Sequence, residues 1–174
     1  MEDIRQIIRD IPDFPKPGVV FKDITPLLSS APLFKRTIDL MAERYQGRGV
    51  DTILGIESRG FIIGAALAYT MGAGFWIVRK PGKLPYETHS TSYELEYGSD
   101  ALEIHRDGLW PGSRVLIVDD LLATGGTAAA AAALVLQLSA EVIEFAFVIE
   151  LAFLGGRERL NPRRVFSIIQ YDTE

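Results

Sequence analysis

Apolar residues fall at Ile4, Ile7, Ile8 and Ile11, the i, i+3, i+4, i+7 spacing of one helical face, and Pro12 ends that helix before a turn-rich stretch from Pro12 to Gly18. The helical period returns after Pro32, from Leu33 to Tyr45, is closed by Gly47 and Gly49, and leads into an apolar run, Asp51 to Ile56, that reads as a strand. Phe61 to Met71 predicts a helix ended by Gly72, Phe75 to Arg79 a strand, and Val115 to Val118 a strand after the Pro111-Gly112 turn. The alanine-rich segment Thr127 to Leu138 is a strong helix former, and Val142 to Ile149 and Val165 to Ile169 are further apolar strands.

Near-continuous apolar strands separated by helices are the pattern of a parallel sheet buried on both faces, so the expected fold is an open α/β sandwich. At 174 residues the chain fits a single domain spanning 1–174, with no internal repeat or low-complexity linker. Residues 82–107, about 26 positions rich in polar and aromatic side chains, lie between two well-marked strands; a segment that long is expected to be a functional flap.

Composition narrows the function. Hydrophobic residues make up 48% and charged residues 24%, enough apolar side chain for a full core. The chain contains no cysteine, which excludes disulfides, zinc–thiolate sites and thiol nucleophiles and points to a cytoplasmic, reducing location. A formal net charge of −5 argues against broad binding of nucleic acid, so any anion site must be local. The early acidic residues are unlike a signal peptide, and the longest apolar run, Ala128 to Leu136, falls well short of the roughly 20 residues of a spanning helix, so no membrane partner is expected. His89 and His105 have no metal-ligand spacing.

The strongest chemical signal is Val115-Leu-Ile-Val-Asp-Asp-Leu-Leu-Ala-Thr-Gly-Gly-Thr127, an apolar strand that ends in two carboxylates and runs through a small-residue loop into a helix. Ligands of open α/β sheets collect at the carboxyl ends of the strands. Ala123, Thr124, Gly125, Gly126 and Thr127 can wrap a phosphate, because glycines let backbone N–H groups converge and a helix N-terminus favours negative charge. Asp119 and Asp120 suit the other end of a sugar phosphate, accepting hydrogen bonds from vicinal hydroxyls. Gly55-Ile-Glu-Ser-Arg-Gly60 has the glycine spacing of a Walker loop, but Phe61 and Ile62 stand where lysine and a hydroxyl residue are required. Arg79, Lys80 and Lys83 crowd three cations at a strand end, either as a solvated face or as a local anion site.

The hydrophobic stretch, acid pair and small-residue loop resemble the signature of the type I phosphoribosyltransferases. Phe14-Pro-Lys-Pro-Gly-Val-Val-Phe-Lys-Asp-Ile-Thr-Pro26, Glu57-Ser-Arg-Gly-Phe61, Arg79-Lys-Pro-Gly-Lys-Leu-Pro85 and Tyr93-Glu-Leu-Glu-Tyr-Gly98 extend the resemblance over nearly the whole chain and towards the members that act on adenine. The resemblance implies an open, mostly parallel sheet flanked by helices, with a small N-terminal hood over residues 1–35 and a flexible active-site flap over 82–107. It implies conversion of adenine and 5-phospho-α-D-ribose 1-diphosphate to AMP and pyrophosphate in purine salvage, with Mg²⁺ held mainly through the substrate, in a homodimer.

Residue by residue, it implies that Ser58, Arg59, Arg79, Lys80 and Lys83 bind pyrophosphate, with Arg79 able to reach the neighbouring subunit. Asp119 and Asp120 with Ala123 to Thr127 would bind the ribose phosphate. Val20 and Lys22 would read the purine through backbone groups, Phe21 would stack on it, and Leu151 would cover its other face, although Val20, Phe21 and Leu151 read equally well as core. Glu96 and Arg59 are the implied catalytic residues, Glu96 carried over the reacting centre by the flap together with Tyr97. Glu57 replaces an aspartate of other members, with little consequence expected. Two alternatives stay open: a transferase for another purine, and a non-catalytic sensor of phosphoribosyl pyrophosphate.

Overall fold

The computed structural model describes residues 1–94 and 99–173. Five strands form one parallel sheet in the order β4-β3-β7-β8-β9, with β3 Thr52–Ile56, β4 Gly74–Val78, β7 Arg114–Leu122, β8 Glu141–Leu151 and β9 Val165–Tyr171. Alternation along these strands sorts side chains to two layers. Leu54, Val115, Ile117, Phe145 and Phe147 face helix α5 (Gly126–Gln137), whereas Ile53, Leu116, Val118, Ala146 and Val148 face helices α3 (Ala31–Tyr45) and α4 (Arg59–Met71). All ten are essentially fully buried, each contributing about 1.5–3 kcal/mol for the larger side chains. The expected open α/β sheet is present; β7, β8 and β9 run two to four residues past the C-terminal ends of their apolar runs, whereas β3 and β4 are no longer than theirs.

Two segments differ from expectation. The first helix, α1 (Glu2–Ile7), stops four residues before Ile11, because Ile8 turns extended and Arg9–Ile11 becomes strand β1, paired antiparallel with β2 (Phe21–Asp23). The 3.6-residue period of Ile4, Ile7 and Ile8 is real, but the hydrogen bonds of residues 9–11 go to another strand rather than to a further helical turn. This ribbon, α1 and the short helix α2 (Thr25–Ser29) make up the N-terminal segment. The flap segment is a hairpin of β5 (Thr88–Glu94) and β6 (Ser99–His105), whose Leu102 and Ile104 are buried in the core layer with α5. Leu95 to Gly98, and with them Glu96 and Tyr97, lie outside the described residues. Among the described residues no helix is long and apolar enough to cross a membrane.

Candidate active site

The C-terminal ends of β3, β4 and β7 lie side by side, and the segments that leave them carry most of the candidate site residues. Strand β7 continues to Leu122, so Asp119 and Asp120 belong to the strand rather than follow it. Asp120 is 4% exposed and Asp119 partly buried, with the Asp120 amide donating to Asp119 Oδ1 at 2.9 Å. Burial, and then the neighbouring Asp120 charge, push the Asp119 carboxyl well above the usual carboxylate range against the pull of Arg59. Arg59, the first residue of α4, donates through Nε to Asp120 Oδ2.

Beyond β7, Gly125 takes a left-handed φ of 80° and α5 begins at Gly126, leaving the first helical N–H groups free for a ligand. A Cβ on Gly125 would lie 2.6 Å from the carbonyl oxygen of Gly156, and one on Gly156 would lie 2.0 Å from that of Ala123. The loop is therefore backed by the chain entering helix α6 (Gly156–Arg159) at backbone-to-backbone distance. A cavity of about 220 Å³ is bounded by Arg59, the acid pair, the loop Ala123 to Thr127 and Phe147.

Across β3, the loop Glu57-Ser58 holds the second anion-binding candidate; its peptide bond is cis. Glu57 Oε1 accepts from Lys83 Nζ at 2.5 Å and from Arg79 Nη2 at 3.3 Å, and Oε2 accepts from the Lys80 amide at 2.8 Å. Burial raises the Glu57 carboxyl, but these donors outweigh it and hold its pKa at about 2. The Lys80 ammonium instead pairs with Asp100 on β6. Of the three clustered cations, two therefore gather on Glu57 and one ties the cation segment to the hairpin. Arg79 also donates to the Lys83 carbonyl oxygen at 3.3 Å.

The N-terminal segment meets the site at Phe21, whose ring lies 5.1 Å beneath the Arg59 guanidinium and 5.2 Å edge-on to Phe14. Val20 is partly buried, and Lys22 is 4% exposed, with Nζ donating to Asp10 Oδ1 at 2.7 Å. Leu151 is the last residue of β8, partly buried. The structure thus brings Arg59, Asp120 and Phe21 together, and separately Arg79, Lys83 and Glu57.

The oxygen donors that line the cavity, Asp119 and Asp120, are the hard ligands a magnesium ion prefers, and they fit one whose remaining ligands come from substrate and water. His105 packs edge-on against Trp76 and Tyr86, with centroids 6.1 Å apart in each case, away from those carboxylates.

Several contacts at the site lie beyond what the motifs record. Glu57 was visible in the loop but its three donors come from β4's end. Gly156, which no motif included, stands against the Ala123 carbonyl oxygen as a wall of the loop after β7. Tyr93, on β5, donates to Asp100 at 3.4 Å and also hydrogen-bonds Thr127, which opposes the upward push of burial on its hydroxyl.

Residues 24–174 match the family described as the phosphoribosyl transferase domain. The chain is similar to the adenine phosphoribosyltransferase of Syntrophotalea carbinolica, 61% identical over 98% of this chain and 100% of that protein. Among solved structures it is similar to adenine phosphoribosyltransferase from Thermoanaerobacter pseudethanolicus, with a TM-score of 0.96 and 54% identity over 98% of this chain and 99% of that one. It is similar too to the Saccharomyces cerevisiae enzyme solved with an imino-altritol bisphosphate and adenine, with a TM-score of 0.91 and 44% identity over 96% and 97% of the two chains.

Proposed function

This chain belongs to the adenine phosphoribosyltransferase family, and from that premise we propose that it joins adenine to the phosphoribosyl group of 5-phospho-α-D-ribose 1-diphosphate, releasing AMP and pyrophosphate. The bond from C1′ to pyrophosphate breaks, the bond from adenine N9 to C1′ forms, and the N9 proton leaves. The observation that carries this reading is the cavity bounded by an acid pair and by a loop whose N–H groups head a helix, a match to the diol and 5′-phosphate of one ribose.

The reaction asks for charge stabilisation on the leaving group more than for a covalent nucleophile. Ala123, Thr124, Gly125, Gly126 and Thr127 anchor the 5′-phosphate. Asp120, paired with Arg59 in the free chain, exchanges that partner for the ribose hydroxyls while Arg59 turns to the pyrophosphate with Ser58, Arg79, Lys80 and Lys83. Asp119 lies beside it and adds negative potential near the cationic C1′. Asp119 and Asp120 would lie alongside a Mg²⁺ ion held mainly through the substrate, which would supply positive charge to the pyrophosphate. Val20 and Lys22 present backbone groups to the purine edge, Phe21 stacks on its ring, Leu151 covers the opposite face, and Glu96 takes part in proton movement on the purine. The flap keeps water from the ribosyl cation.

We assign a homodimer to the same reading. Ile62, Ala65 and Tyr69 share one exposed face of α4 at i, i+3, i+7 spacing, with Tyr69 92% exposed, and a second copy covers it. The reaction is placed in the cytoplasm, in keeping with the cysteine-free sequence.

The test is a chromatographic assay with Mg²⁺, phosphoribosyl pyrophosphate and, separately, adenine, guanine, hypoxanthine, xanthine, uracil and orotate. AMP from adenine alone is the expected result. Another nucleotide in its place would overturn the base assignment and leave the ribose phosphate site standing. Binding of the donor with no product from any base would point to a sensor.

A further inference from the structure

The two walls assigned to the base come from distant parts of the chain, Lys22 with Phe21 on β2 and Leu151 at the end of β8. One residue touches both. Tyr171, the last residue of β9, is the register partner of Leu151. Its ring takes Lys22 Nζ at 4.3 Å and Arg5 Cζ at 4.6 Å from the centroid. Arg5 also donates to the carbonyl oxygen of Gln170 at 2.6 Å, so α1 is tied to the same strand end. A buried ammonium needs compensating charge or a π face, and Lys22 pairs with Asp10, whose side chain is 58% exposed and so screened by water; the Tyr171 ring adds a π face from the protein side. From Lys22 the contacts continue through Phe21 to the Arg59 guanidinium and on to Asp120.

We infer that Tyr171 is a positioning residue for the base: it seats the Lys22 strand on the end of β8, setting the gap between Phe21 and Leu151 into which adenine enters. This rests on the adenine reading above. The ring is the working part, because both cations meet its face, so phenylalanine should serve as well as tyrosine.

Steady-state kinetics with adenine and phosphoribosyl pyrophosphate varied separately give the test. Tyr171→Ala is expected to raise the KM for adenine about tenfold, with kcat and the KM for phosphoribosyl pyrophosphate within about twofold of the parent, and Tyr171→Phe to restore the adenine KM. An unmoved adenine KM, an equal rise in both KM values, or a Tyr171→Phe variant as impaired as alanine would overturn the inference. If Tyr171→Ala does not fold in a thermal melt, Lys22→Met decides: it removes the stacked cation and leaves β9 intact, and a raised adenine KM supports the clamp while an unchanged one sinks it. A parent chain that makes no AMP would instead discard the adenine reading itself, so the two failures are distinguishable.

Discussion

At the scale of single residues, the loop Ala123 to Thr127 depends on two glycines that no residue with a side chain could replace without movement. Gly125 needs its positive φ, and Gly156 faces the Ala123 carbonyl oxygen so closely that a methyl group would sit 2.0 Å from it. Gly156→Ala must therefore push the loop away from α6. Because a displacement of about 1 Å can cost on the order of a hundredfold when geometry is demanding, calorimetry with Mg²⁺ and phosphoribosyl pyrophosphate should show at least about tenfold weaker binding, with the circular dichroism spectrum retained. Affinity equal to the parent's would remove the 5′-phosphate from this loop. Gly60 is constrained in the same way, since a Cβ there would lie 2.9 Å from Asp119 Oδ1, so the arginine loop and the acid pair approach each other only through a glycine.

At the scale of elements, Glu57 staples the end of β3 to the segment leaving β4. Its pKa of about 2 lies below the ordinary 4.5, so between those values the native chain binds fewer protons than the unfolded chain. The stabilisation from Glu57 is thus complete above about pH 4.5 and is lost as pH falls towards 2. Glu57→Gln should be less stable than the parent at pH 6, and the gap in urea midpoint should narrow steadily below pH 4.5. A gap that stays constant down to pH 3 would show that the staple is not ionic. The hairpin β5–β6 is fixed to the same segment, through Lys80 to Asp100 and through backbone pairing of Arg79 with Glu103.

At the scale of the whole molecule, a net charge of −5 coexists with Arg59, Arg79, Lys80 and Lys83 beyond the ends of β3 and β4, each paired with a carboxylate that the phosphates of the proposed substrate would have to displace. The opposite demand, covering apolar surface, falls on α4, where Ile62 and Tyr69 remain exposed in the single chain. Sedimentation should find the parent as a dimer and Tyr69→Glu shifted to monomer, because a carboxylate buried at an interface has no partner there. A monomeric parent would remove the dimer assignment.

The sequence by itself determined the parallel α/β core and the loop after β7. Both are local: an apolar run marks a buried strand, and Asp119 to Thr127 are contiguous, so strand, acid pair and glycine loop can be read in one window. The start of the chain shows where that window fails. Ile4, Ile7, Ile8 and Ile11 fit a helix, yet residues 9–11 pair with Phe21–Asp23, and no local period records which strand stands opposite. For the same reason only the tertiary structure decided that Glu57 gathers Arg79 and Lys83, that Gly156 backs Ala123, and that Tyr171 lies against Lys22 while paired with Leu151. Each of these contacts joins residues whose separation along the chain is bridged by strand order, and strand order is set by the packing of the whole sheet.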